Sequence, residues 1–203
     1  GEYNKTGLVR DINTQVKRIL KVATDYGFDD NLWHNYLTFF LMMSENPFSM
    51  TCEKVGASDG SVNELVENDF RIFKELFDYD FGPIEKDLGI NCFSQISNYK
   101  AIHKKDLMYN KNVSEKVRSL SKKLEAAKDE KEFFDAVTGF YKDYGVGMFG
   151  LNKAFRIDDT PQGSFTFRAI NNMDTVMLDD LVGYEIQKKK LVDNTEAFVQ
   201  GKK

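Results

Sequence analysis

The chain has 203 residues, 41% of them apolar and 30% charged, with a net charge of −4. That balance suits one ordinary domain or two small ones with a substantial core, and it excludes a chain disordered throughout. The acidic surplus argues against a general nucleic-acid binder, and no apolar run approaches the ~20 residues of a membrane-spanning helix.

Seventeen Phe and nine Tyr predict an interior packed with rings. The first element read from the pattern is a helix over residues 1–27, striped by Leu8, Ile12, Val16, Ile19 and Ala23 and stopped at Gly27. A second helix is predicted from a cap at Asp29 or Asp30 to about Glu45. It is apolar on nearly every side, hence central and buried, and Pro47 ends it. A short helical turn and a loop through Ala57-Ser-Asp-Gly60 follow. Ser61 and Glu64 then make a capping box for a helix over 61–77. A short helix at 83–88 carries Pro83 in its first turn. Residues 92–97 alternate weakly and read as a short strand or an irregular segment, and Asn110–Ser114 as loop. Ser114 caps a helix over 115–127 and Asp129 another over 130–144, together an antiparallel helical hairpin. Beyond Gly145 the spacing changes from helical to two-residue alternation. It predicts a β-hairpin of Lys153–Ile157 with Phe165–Ile170 around the turn Asp158–Gly163, then a last helix from Glu185 to a stop at Gly201. On that helix Leu191, Thr195 and Phe198 share one face, and Lys188, Lys189 and Lys190 are assigned to the solvent side.

No stretch assembles a catalytic constellation. Gly145-Val-Gly-Met-Phe-Gly150 matches G-x-G-x-x-G, but a dinucleotide fingerprint follows a strand and opens a helix. Here a helix comes first and none clearly follows, so the glycines are read as letting the chain turn as it leaves a helix. There is no G-x-x-x-x-G-K-[ST] and no Walker B strand, so nothing polarises the phosphates of ATP and hydrolysis by these residues is not expected. Cys52 and Cys92 have no metal-ligand spacing, and His34 and His103 are not placed as a pair. The carboxylates Asp78, Asp80, Glu85 and Asp87 are read as a charged surface over aromatic anchors rather than an acid–base pair. The best partner surface in the pattern is basic: Lys100, Lys104, Lys105, Lys111, Lys116 and Arg118, with Tyr99 and Tyr109 interleaved. The commoner reading of such a run is a solvated helix face with its preceding loop.

One motif carries a family resemblance. Leu178-Asp-Asp-Leu-Val-Gly-Tyr184 looks like the turn that precedes the first helix of an AAA+ ATPase module. Leu37–Ser49, Asp69–Phe73, Met108–Lys116 and Phe140–Phe155 strengthen it. Together they resemble the N-terminal region of an uncharacterised, Firmicutes-type bacterial AAA+ ATPase family of unknown function. The resemblance implies that Val182 and Gly183 lie on the adenine side of a nucleotide site. It also implies that the ATPase domain proper begins just past Lys203, and that ATP and Mg²⁺ belong to the full-length parent, with no cofactor for these residues alone.

The expected fold is therefore mainly α (α+β): a multi-helix accessory domain over 1–175 with a small β-hairpin near 153–170, and the lead-in of an ATPase domain over 176–203. The expected function is non-catalytic, recruiting a protein substrate or adaptor or regulating the motor in the cytoplasm, with no membrane partner and no metal site. Two alternatives stand beside it: a nucleic-acid-binding module using the 99–123 basic face, and a small-molecule enzyme domain, which predicts a deep pocket of convergent polar groups.

Overall fold

A computed structural model describes residues 4–57, 61–102, 109–170 and 178–201, with the backbone alone at 61–65. The turn at 58–60, the side chains of the Ser61 capping box, and His103, Lys104 and Lys105 lie outside the described residues. Two compact units result, Gly1–Asn172 and Met173–Lys203. The fold is mainly helical with one small antiparallel hairpin, as the pattern predicts.

In the first unit, α1 (Lys5–Tyr26) starts on Asn4, whose side chain accepts from Gly7 N, and stops on the left-handed Gly27. Helix α2 (Leu32–Met43) is capped by Asn31 rather than by either aspartate. Both aspartates are engaged elsewhere. The backbone of Asp30 bridges that of Tyr99, and the Asp29 carboxylate accepts from Ala101 N at 2.8 Å. Nor is α2 buried all round: Leu32, Leu37, Leu41 and Met42 face the core, while Phe40 and Met43 are exposed. Pro47 does not end this helix. It opens the next, α3 (Pro47–Val55), behind a reciprocal Asn46–Ser49 capping box.

Helices α4 (Ser61–Phe77) and α5 (Gly82–Leu88) fall where the pattern puts them. Residues 92–97 are neither strand nor irregular: they form helix α6 (Cys92–Ser97). The Glu85 carboxylate takes Ser94 N at 2.9 Å and the Ser94 hydroxyl, which fixes the first turn, and Ile96 is buried. Helix α7 (Lys111–Ala126) begins earlier than predicted because Asn110 caps it. Ser114 is already inside the helix, and its hydroxyl donates to Gly27 O at 3.1 Å. Asp129 caps α8 (Glu130–Tyr144) as read, by accepting Glu132 N at 2.8 Å.

The core gathers on α2, α7 and α8. Val117, Leu124, Phe133 and Val137 are fully buried with Leu32 and Met42. Edge-to-face rings run through it, with Phe70–Phe134 centroids at 5.0 Å and Phe77–Phe133 at 5.2 Å. The Tyr141 hydroxyl reaches across from α8 to donate to Leu41 O at 2.8 Å. Burial pushes that hydroxyl far above the usual tyrosine range, with Cys52 adding to it.

Helix α9 (Gly147–Leu151) leads into β1 (Phe155–Asp159), paired antiparallel with β2 (Phe165–Ala169) in the register Phe155↔Ala169. The ladder sits two residues nearer the turn on β1 than predicted. Thr160 closes the loop, its N–H donating to Ser164 O at 2.8 Å. Alternation gives the hairpin two chemical faces. Phe155, Ile157, Phe165 and Phe167 lie on one, and Arg156, Asp158, Thr166 and Arg168 on the other.

The second unit begins, among the described residues, with a 3-10 turn at Leu178–Asp180 and continues into α10 (Glu185–Val199). No helix among the described residues is long and apolar enough to cross a membrane.

Candidate functional site

The turn before α10 is built by two left-handed residues in succession, Gly183 at φ 84° and Tyr184 at φ 62°. Glycine adopts that conformation freely, whereas an aromatic side chain does so at a cost of about 1–2 kcal/mol. The corner leaves Val182 95% exposed and brings nothing within 4 Å of the position a Gly183 Cβ would take. Val182 and Gly183 are thus exposed at the corner. No cluster of three or more metal-ligating side chains occurs among the described residues.

No residue of α10 is buried. Ile186, Leu191, Val192, Phe198 and Val199 are all exposed, whereas Lys188 is largely covered and pairs with Glu185 at 3.1 Å. The apolar stripe, rather than the lysine row alone, is therefore in solvent.

The basic surface divides. Lys100 is exposed beside the Asp30–Tyr99 bridge. Lys111 and Arg118 stand two turns apart on one side of α7, with Glu115 between them in the helical net. Lys116 turns away from them. Its ammonium donates to Gly150 O at 2.6 Å, at the end of α9, and lies 4.9 Å from the centre of the Tyr144 ring. Burial first, then the charge of Lys153, hold it below the usual lysine range. Lys116 thus does structural work and is not available to a phosphate backbone.

The glycine loop is also committed. Gly147, at φ 72°, would place a Cβ 1.9 Å from Glu45 Oε1, and Gly150 would place one 2.4 Å from the Gly145 backbone. The left-handed backbone requires glycine at 147, and close packing against backbone requires it at 150. Helix α9 begins inside the motif, at Gly147, but has only five residues, and the Glu53 carboxylate already takes Val146 N at 3.1 Å. An anion has been supplied from within the chain.

The four carboxylates singled out in the sequence each have a partner. Asp78 pairs with Lys74, Asp80 accepts Gly82 N, and Asp87 pairs with Lys5. For Glu85, burial opposes ionisation, but the Ser94 hydroxyl and the N–H groups of Ser94 and Phe93 outweigh it, and its carboxyl sits below the usual range. His34 Nε2 lies 2.7 Å from Phe77 O, and its ring stacks on Phe77. Burial raises both cysteine thiols, the direction of unreactive sulfur. A cavity of about 490 Å³ opens beside Tyr26, Phe39, Met43, Asn110, Met148 and Asn152. The sequence offered no signal for it, since its walls come from separate helices. Its two amides are bound to each other, and Asn152 Nδ2 donates to Met148 O at 2.9 Å. Asp25 also lines the cavity, and that carboxylate is paired with Lys21 at 2.7 Å.

Residues 151–203 match a family described as Protein of unknown function (DUF815). No curated protein and no solved structure matches the chain.

Proposed function

We propose that this chain is the non-catalytic N-terminal accessory region of an AAA+-type ATP-binding protein of the bacterial, Firmicutes-type family that its sequence resembles. In this reading residues 1–175 recruit a protein substrate or adaptor or regulate the motor, in the cytoplasm. Residues 176–203 lead into the ATPase domain.

The observation that carries the reading is the segment Leu178–Val199. It has the Asp-Asp-Leu-Val-Gly turn and an ordered helix, yet buries no residue of that helix. Exposed apolar side chains at this density mark a surface that covers a partner. Val182 and Gly183 supply one wall of an adenine site; ATP and Mg²⁺ would take their remaining contacts from the downstream domain. The DUF815 match lies over this same segment. The basic face lends less support to nucleic-acid binding, because Lys116 is bound to α9.

Two measurements test the reading. The coding sequence beyond Lys203 should give a strand and a G-x-x-x-x-G-K-[ST] loop within about 20 residues; a stop codon there overturns it. The full-length protein should hydrolyse ATP with Mg²⁺, and residues 1–175 should not.

A further inference from the structure

The β1–β2 hairpin lies within the first unit but carries a face that this unit does not cover. Ile157 is 64% exposed, Phe165 63% and Phe167 39%, and Phe149 of α9, 57% exposed, extends the patch with its ring 5.5 Å from Phe167. With ~200 Å² for each large side chain, those fractions leave roughly 450 Å² of apolar surface. A stable complex between separate chains buries ~800 Å² per partner, about twice that. A partner tethered to the same chain has already given up most of its independent motion, so a patch of half the size suffices. Among the paired strand residues Asp159 is the only charge on this face, which leaves little in the ladder to steer a charged stranger onto it.

The family match adds a second observation. It begins at Leu151 and runs to the last residue, so it takes in the hairpin together with Leu178–Val199 and leaves α1 to α8 outside. The hairpin shares a sequence block with the segment Leu178–Val199, although it belongs to the first unit, where its rings meet Phe149 of α9.

We propose that the aromatic face of the hairpin is the docking surface for the chain's own nucleotide-binding domain, the intramolecular contact through which the accessory helices sense or restrain it. This inference rests on the ATPase reading above. The test uses the full-length protein with a photoreactive phenylalanine analogue in place of Phe165. The expected crosslinks run to residues beyond Lys203, in a yield unchanged by about tenfold dilution. They fall severalfold when Ile157→Ser and Phe167→Ser are added, and not with Thr166→Ala on the opposite face. Crosslinks to a second copy that fade on dilution, crosslinks confined to residues 4–150, or none at all would overturn it. ATP turnover by the same protein separates the two ideas. Turnover without these crosslinks removes the docking contact alone. Crosslinks beyond Lys203 in a protein that neither binds nor hydrolyses ATP remove the nucleotide-binding identity of the occupant, and a natural chain ending at Lys203 removes both.

Discussion

Helices α8 and α10 each have fifteen residues and each carry apolar side chains at helical spacing, yet their surroundings differ completely. In α8, Phe133, Val137, Phe140 and Tyr141 are buried against neighbours from α2, α3 and α4, and Asp129 caps the start. In α10 nothing is buried, no side chain caps the start, and a left-handed tyrosine turns the corner. Apolar side chains in a helix therefore do not by themselves say whether it is covered; the remainder of the fold does. The hairpin stands between these cases, rooted in the helical unit and still showing its rings.

The contrast can be broken or sharpened by substitution. Phe133→Ala removes a ring with no exposure at all and should cost about 3–5 kcal/mol of unfolding free energy in a denaturant titration. A loss under about 1 kcal/mol would mean that the α8 face is not the core. Gly150→Ala drives a methyl into the Gly145 backbone, which cannot yield as a side chain can, and should cost about 1–3 kcal/mol. An unchanged midpoint would refute the close approach of α9.

The alkaline limb should show the buried phenol. Tyr141 ionises far more readily unfolded, near its ordinary value of about 10, than folded. Above that pH the unfolded chain has lost a proton that the folded one keeps, so stability falls as pH rises. Tyr141→Phe should flatten that fall while removing the bond to Leu41, worth about 1 kcal/mol at neutral pH; equal slopes in both proteins would argue against the burial. Smallest of all, Phe198→Ser should leave the unfolding of the first unit within about 0.5 kcal/mol of its starting value. A larger shift would show that α10 already has its partner.

What the sequence disclosed was local. Gly27 as a stop, Asp129 as a cap and the helix over 61–77 with Phe70 and Phe77 inward depend on residues within a turn or two, and they stand in the structure. The failures share a cause in distant contacts. Ser114 looked like a cap, but its hydroxyl answers a carbonyl at Gly27. Residues 92–97 read as a short strand or an irregular segment, but Glu85 holds their first helical turn. Distance also hid the partners of Lys116, which lie at the end of α9. The aromatic face of the hairpin was present as alternation; that it would remain uncovered was not, because exposure belongs to the assembled chain.

The charged face of the hairpin has its own consequence. Arg156 and Arg168 stand directly opposite each other, and Asp158 reaches both guanidinium groups, at 3.1 Å and 2.6 Å. Two like charges in that position would push the strands apart without the carboxylate between them. A slip of one residue would turn every side chain to the other side and break this arrangement at the same stroke. Parity is thus built in: the ribbon zips only in the alignment that sends its rings one way and its arginines the other. Asp158→Asn should loosen that proofreading before it loosens anything else.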